Sequence, residues 1–466
     1  MARNPLFLSV RALGDLIRSR QVSPVELAKT FLDRLETLGP TYNAVVTITR
    51  DLALAEARTA EKEIAAGRYK GPLHGIPYGA KDLLATAGGI PTTWGAAPFR
   101  ERQFEYDATV IQRLRAAGAV LAAKLAMVEL AGGMGYRQPD ASFTGPGVNP
   151  WDTTRWSGGS SSGSGSAVCA GLVPFAIGSE TWGSILGPAN HCGVVGLRPT
   201  FGRVSRYGAM VLSWSLDKIG PLCLTPDDCG LVLEAIAGPD PLDPSAADRD
   251  FRYEPSPPKR RFRLGVVRGV AEGAEAATRE NFEAALKTLE GIATIEEVSL
   301  PALPYEEITR TILFGELTSA FEDFIESGQI ADLTAPEDRF TPYSRVAILA
   351  KDYIRALRLR GMVVMEIDRA MRELDALLGP SRPVSSTKLG EEFPSAIRGG
   401  KDLMGAIGNA TGLPAISVPD GFTETGVPTG IQFMGRPYAE NVIIAAASAY
   451  QTLTDWHLRH PPGTLQ

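Results

Sequence analysis

Few residues of this 466-residue chain belong to the types that usually carry out hydrolysis, since it has only four histidines and four cysteines. Two histidines lie at the C-terminus, so a Ser-His-Asp triad would most simply use His74 or His191. Residues 159–163 match the G-x-S-x-G pattern of a nucleophile elbow, with Ser161 as the attacking group. The match arises in an almost pure Gly/Ser tract and lacks the strand that runs into such an elbow. We therefore disfavour a histidine-based hydrolase.

Metal chemistry is weakly supported by the residue spacing. The sequence has no H-E-x-x-H and no C-x-x-C pattern, and His191 and Cys192 are adjacent rather than spaced as ligands. We therefore expect no metal ion and no cofactor. Free, buried thiols are expected at Cys169, Cys192, Cys223 and Cys229.

Lysine is the base that remains for a serine nucleophile without histidine. Lys81 lies within residues 75–82, a segment of small and apolar residues. Burial lowers the pKa of a lysine, and a base that works near neutral pH needs a drop of about three units from about 10.4. Such a drop corresponds to about 4 kcal/mol, which burial can supply. From these residues alone, an exposed lysine at a turn is an equally good interpretation.

Three segments in order along the chain identify a resemblance to the amidase signature family: residues 158–164, 178–185 and 193–200. The resemblance covers most of the chain and includes the segment around Lys81. It implies an α/β fold: one α/β/α domain over residues 1–466, with a large mixed central sheet covered by helices on both faces. It also implies that Lys81 is the catalytic base, that Ser160 follows a cis peptide bond, and that Ser184 is the nucleophile.

These implied roles agree with elementary chemistry. A hydroxyl both donates and accepts, so Ser160 can take the proton of Ser184 and pass another to a neutral Lys81. The resemblance further implies an oxyanion hole formed by backbone N–H groups, those of Thr181, Trp182, Gly183 and Ser184. Residues expected to line the substrate cleft are Gly132, Gly133, Tyr136, Trp182 and Leu186. For Tyr136, a turn without function is an equally good interpretation.

Three residues near the expected nucleophile depart from the family pattern. Trp182 stands where the family usually has glycine, and Leu186 and Glu180 stand where it often has an arginine and an aspartate. We therefore expect the usual ion pair to be missing and the neighbourhood of the site to be more apolar. This predicts a substrate with a bulky, apolar or aromatic acyl or leaving group.

The elements that must position these residues follow from hydrophobic periodicity. Helices are predicted over residues 23–38, 51–67, 105–118, 276–291 and 344–378. Strands are predicted over residues 119–124, 262–267, 413–419 and 430–435. The alternation of the two patterns favours a mixed or parallel sheet covered on both faces. We expect an N-terminal helical region over about 1–65, a catalytic core over about 70–235 and a surface loop over about 238–258.

Composition and charge narrow the function. The net charge of -6 argues against a nucleic-acid partner, and no apolar stretch reaches the ~20 residues of a membrane span. We expect a cytoplasmic amidase, monomeric or homodimeric, acting on a small-molecule amide, with carbamates and esters as further substrates. The first alternative is the A subunit of a glutamyl-tRNA(Gln)-type amidotransferase, which Trp182 and Leu186 disfavour because glutamine is small and polar. The second is a non-catalytic binding scaffold.

Overall fold

A computed structural model describes residues 5–254, 259–345, 347–394 and 402–465. The strands in the described residues are β1 Val45–Ile48, β2 Pro77–Lys81, β3 Val120–Leu125, β4 Val148–Asn149, β5 Asp152–Trp156, β6 Phe175–Glu180, β7 Val195–Arg198, β8 Lys218–Cys223, β9 Phe262–Val267, β10 Ala293–Val298, β11 Ala376–Pro380, β12 Ala415–Phe422 and β13 Pro428–Gly435.

The helices are α1 Val10–Arg18, α2 Pro24–Thr37, α3 Arg50–Ala65, α4 Thr109–Ala116, α5 Ser162–Cys169, α6 Leu186–Cys192, α7 Pro226–Ile236, α8 Ala276–Leu289, α9 Tyr305–Ala320, α10 Glu322–Glu326, α11 Thr341–Arg345, α12 Ala350–Ala370, α13 Leu403–Thr411 and α14 Glu440–Gln451.

One 11-stranded mixed sheet forms the centre of the molecule, in the order β1-β3-β2-β6-β8-β7-β12-β13-β11-β9-β10. Side chains of one strand alternate between the two faces. On β6, Phe175 and Ile177 pack into one hydrophobic core, and Ala176 packs into a second. Helices including α1, α4, α7, α8 and α14 contribute to the first core, and α3, α5, α6, α9, α12 and α13 to the second. The predicted fold, a mixed sheet covered on both faces, is confirmed.

Several predicted elements match closely, and two differ. Helix α2 begins where Ser23 caps its first turn by accepting from the N–H groups of Val25 and Glu26. Helix α4 is shorter than predicted, because residues 105–108 lead into it as an irregular segment. The predicted helix over residues 344–378 is wrong at both ends. Helix α12 covers only its middle, and the apolar run at its end is the buried strand β11, because periodicity does not separate short buried strands from helix.

The Gly/Ser tract is part of the folded core. It continues into helix α5, whose residues are all buried. At Gly163 a Cβ atom would collide with the backbone of Ala44 and Ala126, so the absence of a side chain allows this helix to pack closely against neighbouring backbone. The predicted surface loop contains no helix or strand over 238–254, and its residues 255–258 lie outside the described part of the chain.

Candidate active site

Lys81 and Ser160 meet at the carboxyl end of strand β2. Nζ of Lys81 lies 2.7 Å from Oγ of Ser160 and 3.0 Å from Oγ of Ser179. Strand β6, which carries Ser179, pairs in parallel with β2, so the carboxyl ends of the two strands lie at the same edge of the sheet. The peptide bond between Gly159 and Ser160 is cis, which confirms the bond that the family resemblance implies. The three polar groups therefore form one contiguous cluster.

The Lys81 amine is held away from water. Its side chain is 0 % exposed. Burial lowers its pKa from the usual 10.5 to about 7, although Asp217 and Glu180 attract the charged form and oppose this shift. Half of these amines are thus uncharged near neutral pH. An uncharged amine can donate to one serine hydroxyl and accept a proton from the other.

Ser184 lies in the wall of a cavity of about 400 Å³. Gly159, Thr181, Trp182 and Gly183 line the same cavity. Within the described ranges, the backbone N–H groups of residues 181–184 have no hydrogen-bond acceptor. Gly183 has φ of 82°, a left-handed conformation that favours glycine. The turn thus combines a serine hydroxyl with several uncommitted N–H donors.

The structure gives the alternative nucleophile and base no such arrangement. Ser161 is fully buried, and its hydroxyl is bonded to the backbone of Ser179, with Oγ 3.2 Å from the carbonyl oxygen and 3.3 Å from the N–H nitrogen. His74 pairs with Glu63 at 3.0 Å, away from the cavity. His191 does line the cavity, but burial and the nearby Arg382 lower its pKa to about 3, which makes it a poor base.

The usual ion pair between positions 180 and 186 is missing, as expected, but Glu180 forms a different one, which was not predicted from the sequence. Its carboxylate, 0 % exposed, lies 2.7 Å from Nη1 of Arg198 and accepts from the N–H groups of Ile185 and Leu186 at 2.9 and 3.0 Å. Burial would raise the pKa of Glu180, but Arg198 and Lys218 lower it to about 2. A buried ion pair between Glu180 and Arg198 is therefore present next to the turn formed by residues 181–184. Its cation comes from strand β7 rather than from the residues that follow Ser184, so no local motif could predict it.

The position of Leu186 corrects a prediction. We expected it in the substrate cleft, but it is 2 % exposed and packs in the second hydrophobic core as the first residue of helix α6. Gly132, Gly133, Tyr136 and Trp182 do line the cavity. The remaining aromatic residues of the wall are Trp156, Phe314 and Phe393. The cavity thus has an aromatic side without any contribution from Leu186.

Two charged residues of the cavity wall, Arg382 and Asp402, were not found by sequence reasoning. Nη1 of Arg382 lies 2.8 Å from Oδ2 of Asp402, and Nε1 of Trp182 donates to the same oxygen at 3.1 Å. The Trp182 indole therefore points along the cavity wall towards Asp402. Both charged residues are more than 190 positions from Ser184 in sequence, and neither lies in a recognisable motif. Ser179 was also missed, although it lies within a segment that matches the family.

The described residues contain neither a metal site nor a helix that could span a membrane. They contain no group of three or more His, Cys, Asp and Glu side chains placed to hold a metal ion. None of their helices has the length and apolar character that crossing a membrane requires.

Comparison with known proteins places this chain in a family. The profile of the family described as Amidase matches residues 26–444. The chain belongs to the amidase family. One relative is the A subunit of the glutamyl-tRNA(Gln) amidotransferase of Moorella thermoacetica, 36% identical over 484 residues that cover 98% of this chain and 98% of that protein. The corresponding protein of Azoarcus sp. is 37% identical over 487 residues, covering 97% of this chain and 99% of its own.

Solved structures of amidase-family enzymes have the same fold. The native peptide amidase from Stenotrophomonas maltophilia superposes with a TM-score of 0.85 at 31% identity, covering 98% of this chain and 99% of that one. A bacterial aryl acylamidase of the amidase signature family gives a TM-score of 0.86, covering 97% of this chain and 98% of its own. Its identity is 22%, so this likeness concerns the fold alone. This amidase-family chain is an enzyme that acts on carbon–nitrogen bonds.

Proposed function

We propose that this amidase-family enzyme is a cofactor-free serine hydrolase of amides, with Ser184 as nucleophile, Ser160 as proton relay and Lys81 as base. The observation that carries the proposal is the 2.7 Å contact between Nζ of Lys81 and Oγ of Ser160 in a fully buried position. Burial keeps half or more of these amines uncharged at and above pH 7. An uncharged amine can remove the proton of a serine hydroxyl, and this role is required when no histidine serves as the base.

The reaction runs in two steps. Ser184 Oγ attacks the carbonyl carbon while its proton moves to Ser160, whose own proton moves to Lys81. The tetrahedral intermediate collapses, the amine leaves with a proton returned along the same route, and an acyl-enzyme remains on Ser184. Water then attacks the acyl-enzyme by the same relay and releases the acid. Ser179 is a positioning residue, because its hydroxyl holds the amine of Lys81 at 3.0 Å.

The oxyanion is held by backbone donors in this proposal. The N–H groups of residues 181–184 have no acceptor among the described residues, and these residues line the cavity. Donors fixed in this way stabilise the negative charge of the intermediate without reorganising. Amides, esters and carbamates all pass through such an intermediate, so the same site supports cleavage of all three.

The aromatic wall favours bulky apolar or aromatic substrate groups. Trp182 contributes its indole to a cavity that also contains Tyr136, Trp156, Phe314 and Phe393. Replacing Trp182 by Gly removes this part of the wall. We expect the ratio of kcat/KM for 4-nitroanilides over small aliphatic amides to fall at least about fivefold, about 1 kcal/mol of apolar contact. An unchanged ratio would contradict the proposed preference.

Covalent labelling tests the nucleophile. A fluorophosphonate should modify the wild-type protein at Ser184, and mass spectrometry of the digested protein should locate the adduct there. The Ser184→Ala variant should remain unlabelled and lose amide hydrolysis. The matched control is Ser161→Ala, since Ser161 is the serine of the alternative elbow motif, and this variant should still be labelled. An adduct on Ser161, or none on the active protein, would overturn the proposal.

A second candidate function follows from the relatives. The A subunits of glutamyl-tRNA(Gln) amidotransferases align over nearly the whole chain, at 36% identity for the Moorella protein, which supports a glutaminase that works within a complex. Glutamine hydrolysis that requires added partner proteins would support this candidate. Hydrolysis of aryl amides by the isolated chain, with no turnover of glutamine, would support the hydrolase.

A further inference from the structure

The cavity wall carries charged residues that have no role in the proposed mechanism. In the described chain, the charged residues of its wall are Arg310, Arg382 and Asp402. His191 adds no charge near neutral pH, because burial and Arg382 lower its pKa to about 3. Among these wall residues, two cations and one anion leave an excess of one positive charge, in a cavity that also has an aromatic side.

Arg382 is held close to the turn that carries Ser184. A Cβ atom on Gly183 would lie 2.6 Å from Nη1 of Arg382, and one on Gly187 would lie 3.8 Å from its Cδ. Asp402 is the single acceptor of Arg382 among the described residues and engages Nη1 alone. A guanidinium has five N–H donors, so most of them stay available to a ligand.

Asp402 already accepts three hydrogen bonds from the protein, of about four that a carboxylate can accept. Its Oδ2 accepts from Arg382 at 2.8 Å and from Trp182 at 3.1 Å, and its Oδ1 accepts from the N–H of Gly405 at 2.9 Å. The last bond caps helix α13. Asp402 therefore fixes the position of Arg382. It leaves the cavity without an uncommitted carboxylate for the ammonium group of a zwitterionic ligand such as glutamine.

Arg310 adds a second cation on helix α9. It lines the cavity with Leu313 and Phe314 and forms no salt bridge within the described residues, although the Glu306 carboxylate, one turn earlier on α9, attracts its charge. A cavity with this charge favours an anion, and a guanidinium matches a carboxylate in geometry as well as charge. Arg382 is the better placed of the two cations, because it lies directly over Gly183.

We propose that Arg382 binds a carboxylate of the substrate, so that the enzyme cleaves amides that carry both an aromatic or bulky apolar group and a carboxylate near the scissile bond. The inference rests on the proposed hydrolase function, because it names the substrate class of the same site. It separates this chain from a glutaminase, whose substrate would bring an ammonium group as well.

Binding to the inactive Ser184→Ala protein tests the inference without turnover. The probes are the mono-4-nitroanilide of succinic acid and its methyl ester, which differ in one negative charge. By calorimetry, the acid should bind at least about tenfold more tightly than the ester, as expected for a charge-assisted hydrogen bond. Adding Arg382→Gln should remove the preference, and Arg382→Lys should restore part of it. Adding Arg310→Gln, the matched control, should change the preference less than about threefold.

The outcomes separate the two proposals. Equal binding of acid and ester, or a preference that survives Arg382→Gln and disappears in Arg310→Gln, would overturn the role of Arg382. With wild-type protein, release of 4-nitroaniline should show a kcat/KM preference for the acid that Arg382→Gln reduces at least tenfold relative to the ester. Tight binding of the acid without any release of 4-nitroaniline would leave the carboxylate site in place and overturn the hydrolase.

Discussion

At the scale of single residues, the decisive feature is a lysine whose side chain is fully buried. Lys81 is buried beside two serine hydroxyls, and its pKa falls to about 7 because the charged form loses its solvation. Asp217 and Glu180 attract the charged form and limit the fall. In the proposed mechanism, this pKa sets the pH range of activity, and it also contributes to the pH dependence of stability.

The pH profile of activity follows from this pKa. The uncharged amine is the active form, so kcat/KM should rise with pH through an apparent pKa near 7 and stay high into the alkaline range. Below the pKa it should fall about tenfold per pH unit. The Lys81→Met variant should lose at least about 10³ in kcat at every pH. A rate that declines between about pH 8 and about pH 9.5 would contradict a lysine base.

Stability should depend on the same group. Between about pH 7 and the unfolded value of 10.5, the unfolded chain binds a proton at Lys81 that the folded chain does not. The free energy of unfolding of the wild type, minus that of Lys81→Met, should therefore increase with pH by up to about 1.4 kcal/mol per unit in this window. Urea denaturation of both proteins at about pH 7.5 and about pH 9 measures this difference in the free energy of unfolding. A difference that decreases with pH would contradict the assignment.

Gly183 provides a test of the turn before Ser184. Alanine is strained at φ of 82°, and its Cβ would press against Arg382. We expect Gly183→Ala to lower kcat by about 10²–10³, the usual effect of losing an oxyanion donor. Gly426→Ala is the control, because that glycine also has a positive φ, of 79°, but has open space around it and lies in a remote hairpin. Similar losses of activity in both variants would contradict a specific role.

The sequence predicted some residues of the site and not others, for a physical reason. Lys81, Ser160 and Ser184 were assigned through the resemblance to the amidase signature family, because each lies in a segment that matches it. Arg382 and Asp402 reach the cavity from distant segments, and their roles come from a tertiary contact that leaves no local pattern. Leu186 was assigned to the wrong surface, since spacing from Ser184 does not reveal which way the first turn of α6 faces.

At the scale of elements, the link between β6 and α6 depends on one buried carboxylate. Glu180, the last residue of β6, holds the N–H groups of Ile185 and Leu186 and pairs with Arg198 of β7. Breaking a buried pair by removing one partner is expected to cost about 3–5 kcal/mol. Glu180→Gln should therefore lower the free energy of unfolding by about that amount, as measured by urea denaturation. The double variant Glu180→Gln/Arg198→Met should recover part of the loss, and a purely additive loss would contradict a coupled pair.

Helices and strands were predicted correctly where the sequence marks the point at which the element begins. Helix α2 has a serine cap and a proline in its first turn, and β9 is an apolar segment directly after a basic run. The junction of α12 and β11 was missed, because the short apolar strand follows the amphipathic helix after only a short turn, and its apolar residues extend the helical pattern. Which strand pairs with which was beyond prediction, since sheet order depends on long-range contacts.

At the scale of the whole molecule, the C-terminal strands lie in the middle of the sheet. Strands β12 and β13 separate the part built from β1 to β3 and β6 to β8 from the part built from β9 to β11, whereas β4 and β5 pair in a separate two-stranded sheet. A chain that ends at residue 412 would expose the edges of β7 and β11 at once. We expect this truncated protein to be insoluble or to lack a cooperative thermal transition, whereas a chain that ends at residue 459 should unfold cooperatively. Cooperative unfolding of the shorter chain would contradict a single sheet-wide unit.

This sheet order also has a consequence for synthesis. Domains generally fold as the chain leaves the ribosome, N-terminal part first. Lys81, Ser160 and Ser184 emerge early, but Asp402 and the strands that join the two parts of the sheet emerge near the end. A nascent chain therefore carries the proposed nucleophile long before it carries the strands that complete the sheet. We expect hydrolytic activity to appear only after these last strands have been made.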